Sequence, residues 1–522
     1  MAAPGSGRGS VDSASVGPVE QHTQQLVGAV PPPGGTPAGG RAPTGGLAAL
    51  GDSAGSRLLA GGAALVVTVV AVAAGLSMAA GDRKGVVLPL AAVAGIAVAV
   101  LALTRFAGYV LLMLAVRSCV DLFKLTGPSA GQAGSADTAR AADPSTLLAV
   151  LFLLAAGLWL AAQLRRHGRL RGSPLSWAML LVGVTSLISA LGAARPSNSL
   201  LEALRILTVV VMFVVLEQLI PDTVGIRRVL IACYASLVLA LGYTVVLSLL
   251  GNPPAEVKGD FTRISGTFSQ STTFGRYLMF MVIFGFAVYR FLGRRLRVVL
   301  GVLLALSLLF LLLTNTRSAL LGAAIGLVVV AVLHRSKRML VTLCLVAVAG
   351  VALVPAVGER FAQLANSRAV GGDPTGNTLA WRLGYWTEIV TLANRNPVTG
   401  IGPNMTQRET DEAKKPHNDF LRAYVETGLL GLGAYLAMLV AFLYTARTAL
   451  RRAPPASFER GVAVGFAGCA TAFVAISAAS NVISNVVTLW YFVAFAAAAS
   501  AIARRPAPNP VGEPPRSTTV PV

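Results

Sequence analysis

A chain of 522 residues, 55% hydrophobic and only 12% charged, does not have the composition of a soluble domain, where about a quarter of the residues are charged. Its mean hydropathy of +0.69 marks an integral membrane protein and excludes a string of soluble domains, a secreted disulfide scaffold and a disordered regulator. The formal net charge is +21, from 43 Lys and Arg against 22 Asp and Glu. On a soluble chain that balance would suggest nucleic acid. Here it is read as Lys and Arg gathered in cytoplasmic loops. No basic run is interleaved with aromatics as a stacking platform needs, so no nucleic-acid partner is expected. Cys119, Cys233, Cys344 and Cys469 each sit in an apolar run without CxxC or ligand-like spacing. They read as small buried hydrophobes.

Residues 1–56 are rich in Gly, Pro, Ala and Ser and are expected to be a disordered cytoplasmic tail, as are residues 504–522. The first apolar stretch, near Leu58, is too long and too late for a cleaved signal peptide. Between the tails, apolar runs of about 17 to 24 residues repeat, each able to cross about 30 Å of hydrocarbon as a helix. They fall near 58–80, 85–104, 106–125, 145–164, 174–193, 201–220, 228–250, 276–292, 298–314, 318–334, 339–356, 429–447, 461–480 and 487–503. The predicted fold is therefore an all-α polytopic membrane protein with about fourteen spans (12–14). Residues 57–356 carry the first eleven, 357–428 form a long extracytoplasmic loop, and 429–503 carry the rest. Arg117 and Asp121 interrupt the third run one helical turn apart, where they can pair.

Basic segments set the orientation. RRHGRLR (165–171), Arg227–Arg228, GRRLR (293–297), HRSKR (334–338), RTALRR (447–452) and Arg504–Arg505 fall at every second crossing. The positive-inside rule puts them, and both termini, in the cytoplasm. Two loops then lie outside: 251–275, and the roughly seventy residues of 358–428. A loop that long is functional or disordered. This one carries Trp381, Tyr385 and Trp386, with an apolar face at Trp386, Ile389, Val390 and Ala393. That spacing predicts an ordered amphipathic helix able to lie on a membrane surface.

The histidines narrow the chemistry. His22 is in the tail, and His167 and His334 are in basic loops. Only His417 is extracytoplasmic, at the mouth of the bundle beside Asn418 and Asp419 and ahead of Arg422. An isolated surface histidine is ordinarily inert, but an imidazole near its unperturbed pKa of about 6.5 can accept a proton from a hydroxyl nucleophile. The outer side also carries Arg263, Arg276, Arg317 and Arg382 near membrane boundaries. Single boundary arginines are usually snorkelling anchors. Several of them against the positive-inside bias call for an anionic ligand, and guanidinium forks match phosphate oxygens. No Asp-x-Asp or Glu/His cluster on the outer side suggests a metal site, and no cofactor is expected.

PHNDFLRAYVETGLLGLGAYL (416–436) resembles a motif of the O-antigen ligase and O-antigen polymerase superfamily. WRLGYWTEIVTLANRNPVTGIGPN resembles the family's Trp, Pro and Gly-x-Gly stretch. RISGTFSQSTTFGRYL resembles its Arg-x-x-Gly-x-Phe loop, and NTRSALLGAAIGL its Ser/Thr-Arg turn. The likeness covers about residues 200–500; Ser271–Thr272 departs from it, where many members carry Pro-Asn. The resemblance implies a metal-independent, inverting, GT-C-like glycosyltransferase that takes a glycan from a polyprenyl-diphosphate carrier. It would make Arg263 and Arg317 ligands of the donor diphosphate and His417 the residue that activates or positions the acceptor hydroxyl. Arg276, Arg382, Asn418 and Arg422 are the further substrate-binding candidates. The acceptor can be another glycan, a lipid, a wall polymer or a protein. The active site is then extracytoplasmic, on the inner membrane of a bacterium. A transporter or flippase of the same lipid-linked glycans is the alternative, with Glu202, Arg205 and Glu217 as its best support.

Overall fold

Apolar runs become single helices along most of the chain. The computed structural model describes residues 95–123, 144–258, 261–338, 340–341, 379–410 and 414–506. The run expected at 58–80, nearly all of the one at 339–356, half of the one at 85–104, residues 1–56 and nearly all of the C-terminal tail lie outside these residues. In chain order the helices are α1 (Gly95–Thr104), α2 (Phe106–Val116), α3 (Pro144–His167), α4 (Pro174–Leu191), α5 (Pro196–Leu219) and α6 (Thr223–Leu249). A hairpin of β1 (Ala255–Lys258) and β2 (Phe261–Ile264) follows. Then come α7 (Ser271–Tyr289), α8 (Arg294–Leu313), α9 (Arg317–Leu333), α10 (Leu379–Ala393) and the single turn α11 (Thr406–Glu409). The chain finishes with α12 (Asp419–Arg452), α13 (Phe458–Ser477) and α14 (Val486–Ala503).

Among the described residues nine helices are long and apolar enough to cross a membrane: α3 to α8 and α12 to α14. α1 and α9 are shorter apolar helices. The starts follow local capping chemistry. Ser173 and Ser176 form a reciprocal capping box ahead of α4, with Pro174 at the first helical position. Asp222 accepts from Gly225 N at 2.8 Å to start α6, and Ser457 from Arg460 N at 3.1 Å to start α13.

Two expectations need correcting. The single span at 106–125 is two pieces, α2 and a 3-10 helix at Arg117–Phe123. Arg117 and Asp121 pair at 3.9 Å within that tighter segment. Asp121 also accepts from Ser269 Oγ at 3.1 Å, and the Arg117 guanidinium lies over the Trp490 ring at 5.8 Å. A charged couple in an apolar run is tolerated when turned toward such partners. The fold is also not purely α. β1 and β2 pair antiparallel with Glu256 opposite Arg263, because Pro253 and Pro254 stop α6 from continuing.

α7, α13 and α14 form the buried centre. In lipid, apolar residues gain little from leaving the tails, so close packing and hydrogen bonds must hold the helices together. Gly326 of α9 meets Gly468 of α13 backbone to backbone: a Cβ on Gly326 would stand 3.1 Å from the Gly468 carbonyl oxygen and closer still to Ile283. Phe280, Phe442, Phe466, Phe473 and Phe492 stack in one cluster, and Phe284 lies on Phe495 with ring centroids 4.0 Å apart. Such aromatic pairs contribute about 0.5–1.5 kcal/mol each beyond area burial.

A smaller core gathers Tyr385, Ile389, Leu392 and Ala393 of α10 with Ala193, Ile401, Met405 and Val425. The amphipathic helix thus exists, and part of its apolar face is buried in the protein. The buried stripe runs through Tyr385, Ile389 and Ala393, while Val390 is exposed.

Candidate functional site

The site is built on three short connections at one end of the bundle: the α8–α9 turn, the segment leading into α12, and the turn between α13 and α14. α12 itself is broken where it passes them. Gly428 has φ 67°, outside the helical region, and the segment 397–402 runs through the break. Ile401 and Gly402 donate from their backbone amides to the carbonyl oxygens of Val425 and Glu426, at 3.0 Å each. Leu429 N donates to Pro397 O at 2.8 Å. The backbone groups freed by the kink are therefore re-satisfied by the Pro-Val-Thr-Gly-Ile-Gly segment, the condition for non-helical backbone in an apolar setting.

His417 stands just before α12 at φ 55°. Its neighbours are fixed on both sides. Trp386 Nε1 of α10 donates to the Pro416 carbonyl oxygen at 2.7 Å, and Asn418 caps α12 by accepting from Phe420 N at 3.0 Å and Leu421 N at 3.2 Å. The half-buried imidazole faces the next connection, where Asn481 Nδ2 lies 3.4 Å from His417 Nδ1.

The turn between α13 and α14 collects the arginines. Arg276, buried in the first turns of α7, donates from Nη1 to the Asn481 carbonyl oxygen at 2.8 Å and from Nη2 to Ser480 Oγ. Arg382 of α10 donates from Nη1 to the Ala479 carbonyl oxygen at 3.3 Å. Ser480 Oγ also bonds Ser318 Oγ at 3.3 Å, which brings Arg317, the first residue of α9, to the same turn. Burial holds the Arg382 pKa below the ordinary arginine value.

The described hydrogen bonds of Arg263 and Arg422 run to the protein itself. Arg263 is buried and donates to the α8–α9 turn: Nε to Thr314 O at 3.0 Å, Nη2 to Asn315 O at 3.2 Å and to Thr316 Oγ1 at 3.0 Å. It supports the turn from which Arg317 springs. Arg422 lies in a buried charge cluster, with Nε on Glu426 Oε2 at 2.9 Å, Nη2 on Glu202 Oε1 at 3.4 Å and Nη1 on Ser484 Oγ. Glu202 also pairs with Arg205 at 3.5 Å. Glu217, far along α5, is held by Arg504 at 2.7 Å and Ser500 at 2.5 Å.

Residues that the sequence did not single out complete the arrangement. Asp419 Oδ2 accepts from Val482 N at 2.9 Å and Ile483 N at 3.3 Å, tying α12 to the α13–α14 turn. Ser480, Asn481, Ser484 and Asn485 stand in the turn itself; their only signal was a polar stretch, SNVISN, between two apolar runs. Several buried polar atoms here lack a hydrogen-bond partner among the described residues: Arg276 Nε, Arg382 Nε, Asp419 Oδ1, Asn481 Oδ1 and Asn485 Nδ2. Orphaned donors and acceptors gathered in one place mark a site for a polar ligand. A cavity lined by Asp419, Arg422, Glu426 and Tyr435 adjoins, and Val182, Ile206 and Ile483 join it to an apolar cavity among Met179, Met438, Phe442 and Phe492. Among the described residues no group of three or more His, Cys, Asp or Glu is placed to hold a metal ion.

Residues 302–436 match the model of the family described as O-Antigen ligase. The match takes in Arg317, Arg382, His417 and Arg422, and leaves Arg263, Arg276 and the α13–α14 turn outside. Over 309 residues the chain is 24% identical to the "Exopolysaccharide production protein ExoQ" of Rhizobium meliloti (strain 1021), covering 54% of this chain and 68% of that protein.

Proposed function

We propose that this chain, a member of the O-antigen ligase and polymerase superfamily, transfers a glycan from a polyprenyl-diphosphate carrier to an acceptor hydroxyl at the outer face of the cytoplasmic membrane. One observation carries the reading: Arg276, Arg382, the Arg317-bearing helix start and His417 meet on the single turn around Ala479–Asn481. A cluster of guanidinium groups next to an imidazole is what such a transfer needs. The acceptor oxygen bonds to the sugar C1 as the C1–O bond to the diphosphate breaks, on the opposite face, so the configuration inverts. His417 takes the acceptor's proton. The leaving diphosphate carries its charge onto Arg276, Arg317 and Arg382, which are fixed before reaction and therefore cost little reorganisation.

The acceptor is another glycan chain, a lipid, a wall polymer or a protein. The outward direction rests on the basic segments, which lie at the opposite end of the bundle from His417: Arg505 pairs with Glu459 at 3.3 Å there, and Arg452 Nη1 donates to the Arg505 carbonyl oxygen at 2.9 Å. The transport alternative loses its main support because Glu202, Arg205 and Glu217 pair within the bundle.

The test is transfer by purified protein in detergent, with lipid-linked glycan as donor and a membrane and cell-wall extract as the source of acceptor, both from a strain lacking the gene. Without a sealed membrane, release of polyprenyl diphosphate requires chemistry rather than transport. Wild type is expected to release it, and His417→Ala to be slower by about 10²–10⁴ in rate. A wild type that restores glycan in cells yet releases none in detergent, or a His417→Ala variant equal to wild type, would overturn the assignment.

A further inference from the structure

The contact between Asn481 and His417 joins two groups that are each held from behind. Asn481 is only 6% exposed, and its turn is fixed by Arg276 on its own carbonyl and by Asp419 on the next two amides. His417 is fixed between Pro416, bonded to Trp386, and the capping residue Asn418. A carboxamide therefore faces Nδ1 of the imidazole at 3.4 Å and has little freedom to leave it.

Which end of that carboxamide faces the ring decides the tautomer of His417. The oxygen and nitrogen exchange by a half-turn about the last side-chain bond, and the choice is fixed by chemistry rather than by outline. With nitrogen toward Nδ1, the proton sits on Nε2 and the base has no free lone pair. With Oδ1 toward the ring, it accepts the Nδ1 proton and Nε2 keeps its lone pair.

We propose that Asn481 is the positioning residue of His417: its Oδ1 accepts the Nδ1 proton, making Nε2 the atom that receives the acceptor hydroxyl's proton. The inference rests on the glycosyl-transfer reading above. In the step, the hydroxyl proton moves to Nε2 as the acceptor oxygen bonds to C1. The imidazolium so formed keeps its Nδ1–H on Asn481, and the electron pair of the broken C1–O bond leaves with the diphosphate. The same turn also couples the two halves of the site, because the residue that orients the base presents its backbone carbonyl to Arg276.

The experiment compares wild type, Asn481→Ala and Asn481→Asp in detergent. The donor is again the lipid-linked glycan extract, and release of polyprenyl diphosphate is followed from acid to neutral pH. Asn481→Ala is expected to lower kcat by about 10–100-fold with KM for the donor nearly unchanged, the size of loss typical when a histidine loses its orienting partner. Asp keeps the acceptor and the shape while adding a negative charge. It is expected to retain activity within about tenfold of wild type and to move the acid limb upward by about one pH unit, because a carboxylate beside an imidazolium raises its pKa. Arg276, Arg317, Arg382, Asp419, Arg422, Lys414 and Lys415 are the other charged groups around this segment, and they are the same in every variant. A merely structural asparagine would leave kcat per folded molecule unchanged in Asn481→Ala, with only the folded yield falling. If Asn481→Ala fails to fold, the near-isosteric Asp variant decides alone. An Asp variant as slow as Ala, or one with an unmoved acid limb, overturns the inference while leaving the transfer reading intact. A wild type that releases nothing overturns both.

Discussion

Arg263 donates from Nε to the carbonyl oxygen of Thr314 at 3.0 Å, placing a buried guanidinium beneath the turn that launches Arg317. Two further donations, to Asn315 O and Thr316 Oγ1, occupy the fork. This geometry makes Arg263 a brace for the turn that precedes Arg317. Buried hydrogen bonds to a charged group contribute about 1.5–3 kcal/mol each. Lysine, with a single ammonium, cannot reach three acceptors in this pattern. Arg263→Lys is therefore expected to lower the thermal midpoint and kcat together, and Thr316→Val to do the same more mildly. Thermal unfolding in detergent alongside release of polyprenyl diphosphate checks this. An Arg263→Lys protein as stable as wild type but inactive would mean that the guanidinium touches substrate instead.

Gly428 and Gly400 are expected to be among the least replaceable residues. A Cβ on Gly428, at φ 67°, would stand 2.2 Å from the Val398 carbonyl oxygen, and one on Gly400, at φ 74°, would stand 2.5 Å from the Glu426 backbone. Both the left-handed backbone and the approach of a second segment exclude a side chain. Gly428→Ala should cost several kcal/mol, about 1–3 of it from the backbone conformation alone. Gly433→Ala, on the same helix with nothing within 4 Å of its Cβ, is the control and is expected to be neutral. Detergent-stable yield and thermal midpoint are the readouts. Equal midpoints for Gly428→Ala and Gly433→Ala would contradict the threaded break.

Helix positions were legible because a membrane span is a one-dimensional signal: α4, α5, α6, α13 and α14 each begin and end within a few residues of their apolar runs. The interruption at Arg117 and Asp121 was visible too, but not its outcome, since the partners of that couple, Ser269 and Trp490, lie more than a hundred residues away. The same limit applied at the site. His417 and the outer arginines stand out as charge in places that disfavour it, and several of them do converge. What composition could not supply was the common partner. Ala479, Ser480 and Asn481 are small, neutral and ordinary, and only the folded turn brings the Ala479 carbonyl to Arg382, the Ser480 hydroxyl and Asn481 carbonyl to Arg276, and the Asn481 carboxamide to His417. Nor could it separate a guanidinium that faces a ligand from one, like Arg263, that is satisfied by backbone.

Arg422 is the arginine whose role is most open to a decisive experiment, because its charge is balanced inside the protein. It pairs with Glu426 at 2.9 Å and Glu202 at 3.4 Å, all three largely out of solvent. Removing one member of a buried charge group leaves the others uncompensated, typically a loss of about 3–5 kcal/mol, whereas neutralising the whole group is often harmless. Arg422→Met is accordingly expected to yield little folded protein, since two carboxylates remain. Glu202→Gln should be mild, because the amide oxygen still accepts from Arg422 and Glu426 still balances it. The triple variant Glu202→Gln, Arg422→Met, Glu426→Gln should fold again. Its activity then separates two roles that the single variant confounds. If polyprenyl diphosphate release returns with the fold, Arg422 serves to anchor α12 against α5 and the α13–α14 turn. If the protein folds and remains inactive, the guanidinium contacts substrate. If the triple variant is as unstable as Arg422→Met, packing of the arginine stem rather than charge balance sustains this corner of the bundle, and the electrostatic account of it is wrong.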